Sequence, residues 1–285
     1  MNSALVIGGT GCLGSALVNN LIDKGWQVST AGRNSGNPEV FEHFYLDLNS
    51  PLPLPEDKKY DFVYYLAQDM NFRNYPDSIT STFRINSFSA FSICKWAKNN
   101  SGKFIYASTG SVYAKKNSPL FEHDDYEISN QLSPYVLSKI LAERLISEFD
   151  ENCLILRPFF IYGPNADRRM LIPSLIDSLK TRKNIQIDQF GGITINPVYS
   201  LDAAEAIFLI GEKLSGFVNI AGAENISIQG LSQSIAGVVG LEPIFTQILS
   251  ENKRTLLGDI DKIESLGWKQ INSFEINIRH LIATS

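Results

Sequence analysis

The chain has 285 residues, 44% of them apolar and 19% charged, which excludes a disordered polymer and suits one large α/β unit or such a unit with a small lobe. A net charge of −5 with no basic stripe argues against a nucleic-acid binder. No apolar run approaches the ~20 residues of a membrane span, the histidines (His43, His123, His280) lack metal-ligand spacing, and three cysteines (Cys12, Cys94, Cys153) fit free thiols in a reducing compartment, so the expected location is the cytoplasm with no metal and no membrane.

The first element is a short buried strand, Leu5–Gly8, followed by a glycine-rich turn and an amphipathic helix, Cys12–Lys24. Strand, turn and helix in that order make Gly8, Gly11 and Gly14 a dinucleotide-binding signal. Gly8 permits the tight turn, Gly11 the close approach of a diphosphate, and Gly14 the packing of helix on strand. Thr10, Cys12 and Leu13 lie between them, where the helix N-terminus presents free N–H groups. Further strands are expected at Gln27–Ala31, Phe41–Leu46, Phe62–Leu66, Lys103–Ala107 and Cys153–Arg157, and helices at Asp77–Asn99 and Pro134–Phe149. The proline-rich stretch Asn49–Lys59 reads as a connection. Short apolar strands between amphipathic helices predict a Rossmann-type, doubly wound parallel sheet.

The helix Asp77–Asn99 carries Phe83, Ile85, Phe88, Phe91, Ile93 and Trp96 around its circumference. That pattern fits burial between neighbouring elements or a helix–helix interface, and the expected partner is a second copy joined through residues 77–99 and 134–149. After Arg157 the pattern changes. Gly163-Pro164 breaks the chain, a helix follows at Met170–Thr181, and short elements alternate to the end. The expected division is a cofactor-binding unit over 1–165 and a substrate lobe over 166–285, with a segment near 197–213 returning to the first.

Ser133-Pro-Tyr-Val-Leu-Ser-Lys139 opens the helix Pro134–Phe149, with Ser133 as N-cap and Pro134 in the first turn. Tyr135 and Lys139 are then one turn apart on one face. An ammonium beside a phenol favours the phenolate, which equips Tyr135 to exchange a proton with a carbinol or ketone oxygen. A buried strand ends in Ser108-Thr109, where α/β sheets place ligands, and the Thr109 hydroxyl is a candidate partner for the same oxygen. A helix-surface pair and a strand-capping turn are the plainer readings of these residues.

Together with Asp47-Leu48, Tyr65-Leu-Ala67, Asn86, Leu156-Arg-Pro158, Tyr162-Gly-Pro164, Pro197-Val-Tyr199 with Asp202, and Leu266-Gly-Trp268, these motifs run nearly end to end. The chain resembles the extended short-chain dehydrogenase/reductase family of nucleotide-sugar epimerases, dehydratases and ketoreductases. The resemblance implies Tyr135 as acid/base, Lys139 as the residue that holds the nicotinamide ribose and tunes Tyr135, and Thr109 as a catalytic hydroxyl. It implies that Asp47 and Leu48 flank the adenine, and it places Leu66, Ala67, Gln68, Asn86 and Pro158 among the cofactor-binding residues, with Asn86 resembling the family's helix-kink or positioning asparagine.

The second strand runs into Ala31-Gly-Arg-Asn34, with no acid to bond a ribose 2′-hydroxyl. Arg33 suits a 2′-phosphate, so NADP(H) is the expected cofactor and NAD(H) the alternative; a solvated loop arginine is the plainer reading. The family's dehydratases carry an Asp-Glu pair after the catalytic hydroxyl, where this chain has Gly110-Ser111. No added Cys or His pair points to epimerisation at two carbons. What remains is hydride transfer at one carbinol of a nucleotide sugar, as a 4-ketoreductase or a 4-epimerase. Many relatives hold the substrate diphosphate with an Asn where this chain has Phe160 and an Arg where it has Ile195. Arg168 and Arg169 are the expected substitutes, with Thr109, Ser111 and Phe160 beside the sugar. Two other readings stay open: reduction of a small non-nucleotide ketone in an apolar pocket formed by Phe159, Phe160 and Tyr162, and a non-catalytic NADP(H)-binding sensor or assembly protein.

Overall fold

The computed structural model describes residues 1–34, 36–50, 58–100, 102–129 and 132–283. Strands β1 (Ser3–Ile7), β2 (Gln27–Gly32), β3 (Glu42–Tyr45), β4 (Phe62–Tyr65), β5 (Lys103–Ala107) and β6 (Leu154–Pro158) come first in the chain. Six short strands follow: β7 (Ile185–Asp188), β8 (Thr194–Ile195), β9 (Gly216–Ile220), β10 (Ile226–Ser227), β11 (Phe245–Ile248) and β12 (Thr255–Leu256). The main sheet has seven strands, all parallel, in the order β3-β2-β1-β4-β5-β6-β9. Its central strands are apolar on both faces because both faces are covered. Along β1, Ala4 and Val6 pack with helices α1 (Cys12–Asp23) and α6 (Ser200–Gly211). Leu5 and Ile7 pack on the other side with α3 (Ala90–Asn99) and α4 (Pro134–Phe149). The chain runs outward through β1, β2 and β3, then crosses to β4 on the far side of β1. That reversal opens a crevice at the carboxyl ends of β1 and β4.

The expected helix over 77–99 begins instead at α2 (Ile79–Phe83) and widens into a π-turn over Arg84–Ser89 before α3. The cause lies in its carbonyls. The Tyr65 hydroxyl donates to the Ile85 carbonyl at 2.5 Å and the Tyr106 hydroxyl to that of Asn86 at 2.7 Å. The Asn86 side chain accepts from the Asp69 N–H at 3.0 Å and donates to Ser138 Oγ at 2.9 Å. Outside groups thus claim the backbone and side chain that a regular turn would tie to its own helix.

Two further findings extend the expected organisation. Helix α6 packs on α1 as part of the main sheet's covering layer, and β9 joins as the seventh strand, beyond the 197–213 segment expected to return. The run Gly216–Ile220 hides its strand character behind Asn219. That buried side chain accepts from the Tyr113 hydroxyl at 2.6 Å and donates to the Leu120 carbonyl at 2.8 Å. The remaining C-terminal elements are α5 (Leu171–Lys180), α7 (Ile228–Val239), α8 (Asp261–Glu264) and α9 (Phe274–Ala283). Helices α5, α7 and α9 build an apolar cluster of their own over two small sheets, β7 with β11, and β8 between β10 and β12. Most of the expected connection Asn49–Lys59 lies outside the described residues. Among the described residues, no helix is long and apolar enough to cross a membrane.

Candidate active site

A cavity of about 800 Å³ fills the crevice, a volume that suits a cofactor with part of a substrate. One end is made of backbone. Gly8 has φ +88°, and a Cβ there would stand 2.8 Å from the Ala67 nitrogen. A Cβ on Gly14 would run into the Gly8 carbonyl oxygen, so both positions require glycine. Helix α1 starts at the cavity wall with Gly11 as its N-cap, no capping side chain and no acid in its first turn. Its free N–H groups and positive dipole end suit an anion such as a dinucleotide diphosphate. Gly8, Thr10, Gly11, Cys12, Leu13 and Gly14 all line the cavity, as do Arg33, Asp47, Leu48, Leu66, Ala67 and Gln68. Arg33 is exposed just past β2 and has no ion-pair partner among the described residues. The residues present therefore fit a nicotinamide dinucleotide.

The other end is made of side chains. Ser133 Oγ accepts from the Val136 N–H at 3.3 Å and starts α4, which brings Tyr135 and Lys139 to the cavity beside Thr109. The Tyr135 hydroxyl donates to Gln68 Oε1 at 3.2 Å, and its ring stacks on Phe72 with centroids 4.5 Å apart. Burial pushes the phenol up to about 12, against smaller downward pulls from the Thr109 hydroxyl and the Arg73 charge. This corrects the expectation that Lys139 primes the phenolate in the free chain. Lys139 is 1% exposed, donates to the Ala107 carbonyl at 2.7 Å and sits over the Tyr106 ring. Burial lowers it to about 7, with Glu143 opposing. Its amine is turned toward the end of β5.

Glu143 lies one turn beyond Lys139 and is bound by Arg157 of β6 through contacts of 3.2 and 2.7 Å, with both side chains buried. The Tyr126 hydroxyl donates to the same carboxylate at 2.8 Å. This network fastens α4 to the sheet and so fixes the height of Tyr135 and Lys139 above β5.

Ser111, Pro158 and Phe160 line the cavity with Thr109, as expected. Phe160 stands at φ +47°, a left-handed conformation that costs a bulky residue energy and that Asn tolerates better. Three expectations fail on geometry. Asn86 is fully buried beneath the cavity, whose wall at that level is Ile85. Arg168 and Arg169 lie off the cavity wall: Arg168 pairs with Asp177 on α5, and Arg169 with Asp167 at 2.7 Å, because local acids offer them bidentate partners. Ile195 is buried in the C-terminal cluster.

Sequence reasoning passed over Asp69–Arg73, Asn165–Asp167, Met170, Leu171 and Leu256, all on the wall, and gave Ser108, also there, no role beyond its place at the strand end. Ser108 is buried, and its Oγ has no partner among the described residues, as a group awaiting a ligand would. The signal for Asp69–Arg73 was position alone, directly past the carboxyl end of β4 at the switch point.

Residues 4–221 match the model of the family described as NAD dependent epimerase/dehydratase. The UDP-N-acetyl-alpha-D-glucosaminuronate decarboxylase of Bacillus cytotoxicus is 29% identical over 253 residues, 81% of this chain and 78% of that protein. Among solved structures, MoeE5 in complex with UDP-glucuronic acid and NAD superposes with a TM-score of 0.84 at 23% identity, over 99% of this chain and 98% of that one. The UDP-N-acetylglucosamine 4-epimerase from Methanobrevibacter ruminantium, in complex with UDP-N-acetylmuramic acid, gives the same TM-score and identity over 99% and 97%.

Proposed function

The chain belongs to the NAD dependent epimerase/dehydratase family, and on that premise we propose that it transfers a hydride at one carbinol or ketone carbon of a nucleotide-activated sugar, with Tyr135 as acid/base. The observation that carries this reading is the meeting of two groups in one cavity: the glycine turn that fits a dinucleotide and a half-buried phenol with the Thr109 and Ser108 hydroxyls on the same wall. When bound, the nicotinamide supplies the hydride acceptor or donor. Gly8–Gly14 and the α1 N-terminus hold the diphosphate, Asp47 and Leu48 flank the base, and Lys139 bonds the ribose. Thr109 and Ser108 donate to the substrate oxygen, and Tyr135 gives that oxygen a proton or takes one from it. No acidic pair follows Thr109, which disfavours dehydration.

Between the two directions we favour reduction, because a preference for NADP(H) leans that way. Arg33 offers a 2′-phosphate an unpaired guanidinium, which supports NADP(H) within an NAD-dependent family. Epimerisation at the same carbon is the second reading, favoured by the likeness to a UDP-N-acetylglucosamine 4-epimerase. In the homodimer we propose through 77–99 and 134–149, exposed Ile79, Phe88 and Leu137 supply the apolar contact.

The test is purified protein with NADPH or NADH and a panel of 4-keto and parent nucleotide sugars. Consumption of reduced cofactor on a keto sugar selects reductase. Isomer exchange without net consumption selects epimerase. No conversion across the panel, together with firm cofactor binding, removes the catalytic reading.

A further inference from the structure

The charges on the cavity wall do not balance locally. Asp69 is satisfied by the Ser81 and Thr82 hydroxyls, both at 2.8 Å, and by the Asn71 N–H at 2.9 Å. Asp167 spends both oxygens on Arg169, at 2.9 and 2.7 Å. Asp167 feels the charge of Arg73, but no carboxylate stands within ion-pair distance of that guanidinium among the described residues. Arg73 is exposed on the cavity wall, lies over the Phe72 ring at 4.4 Å, and directs Nη2 at the Met170 thioether at 3.9 Å, a weak acceptor. Among the described residues four of its five N–H donors have no partner, and the guanidinium is held against the Phe72 ring.

Resting on the nucleotide-sugar reading above, we propose that Arg73 is a specificity residue that binds a carboxylate carried by the sugar, so that the substrate is a nucleotide-activated uronic acid or another sugar acid. Position separates the sugar's carboxylate from the diphosphate. Phe72 touches both partners, its centroid 4.5 Å from that of the Tyr135 ring and 4.4 Å from the Arg73 guanidinium carbon, and the Arg73 charge acts on the Tyr135 phenol. A substrate whose C4 oxygen meets Tyr135 presents the substituent on C5 to that same stretch of wall, while its diphosphate, on C1, lies across the pyranose ring. A carboxylate there accepts two parallel N–H bonds; the primary alcohol of a neutral hexose accepts one and leaves the charge uncompensated.

The test measures equilibrium binding of three probes to the cofactor-saturated chain: UDP, a UDP-hexose and the matching UDP-hexuronate. The wild type is expected to bind the hexuronate at least ~10-fold more tightly than the hexose, a margin typical of one charge-assisted bidentate pair. Arg73→Gln is expected to remove that preference and leave UDP and UDP-hexose within about 2-fold, with Arg73→Lys in between. The proposal is overturned if the wild type shows no preference, if Arg73→Gln weakens all three probes alike (a diphosphate contact), or if it changes none. Cofactor binding with no affinity for any probe overturns the nucleotide-sugar reading and this proposal together. Unchanged cofactor affinity in the variants separates a local effect from a folding defect.

Discussion

At the end of the cavity nearest Gly8–Gly14 the wall is backbone: a left-handed glycine, a helix N-terminus, and a glycine packed against a carbonyl. At the end nearest Tyr135 the wall is side chains: a phenol on Gln68, a ring from Phe72, a guanidinium from Arg73, and Phe160 in a conformation that strains it. Backbone contacts serve any molecule with a diphosphate, so that end identifies a cofactor class. Side-chain contacts serve a particular substituent, so the other end sets the substrate. Their energetics differ too. The first end depends on atoms that must be absent, the second on charges and hydroxyls that must be present and correctly paired.

Five changes break or sharpen this contrast. Tyr135→Phe is expected to lower turnover by ~10²- to 10⁴-fold with cofactor affinity unchanged, measured by steady-state rates beside a cofactor titration; equal losses in both would merge the two ends. Glu143→Gln leaves Arg157 buried without its counter-charge and is expected to cost about 3–5 kcal/mol, read as a lowered denaturation midpoint. Arg33→Asp acts only at the backbone end and is expected to weaken NADP(H) by at least ~10-fold while sparing NAD(H), seen in paired titrations. Lys139 gives a smaller, pH-dependent signature. Its pKa falls from 10.5 to about 7 on folding, so between those values the unfolded chain binds the extra proton, and stability rises with pH above about 7. Denaturation series at pH 7 to 9.5 check this, and Lys139→Met is expected to flatten the rise. Smallest is Arg168→Ala with Arg169→Ala. Both lie off the wall in exposed pairs, so KM is expected to move less than ~2-fold, and a 10-fold rise would put them back in the substrate end.

The same division explains what could be read in advance. Gly8 and Gly14 were legible because backbone geometry admits few residue types there, and their spacing reports it; Asp47 and Ala67 were legible only through the family resemblance. Tyr135, Lys139 and Thr109 were legible because a helical turn and a strand end place them. The states of Tyr135 and Lys139 were not, because burial dominates both and burial is a property of the whole fold. Arg168 and Arg169 misled because Asp167 and Asp177, which hold them, are as ordinary in the sequence as any surface acid. Phe72 and Arg73 escaped notice because no motif marks a stack formed between a loop and a distant helix. Asn86 was legible as a special position, but its partners in β5 and α4, not a cofactor, make it so.

The account rests on the phenol of Tyr135 and the glycine turn serving one bound dinucleotide. A crystal structure with reduced cofactor measures this directly. The nicotinamide ring is predicted in van der Waals contact with Tyr135, with the diphosphate on the N–H groups that follow Gly11. A dinucleotide seated on the turn with its nicotinamide directed away from Tyr135, or the phenol still closed onto Gln68 and sealed from the ring, would contradict it.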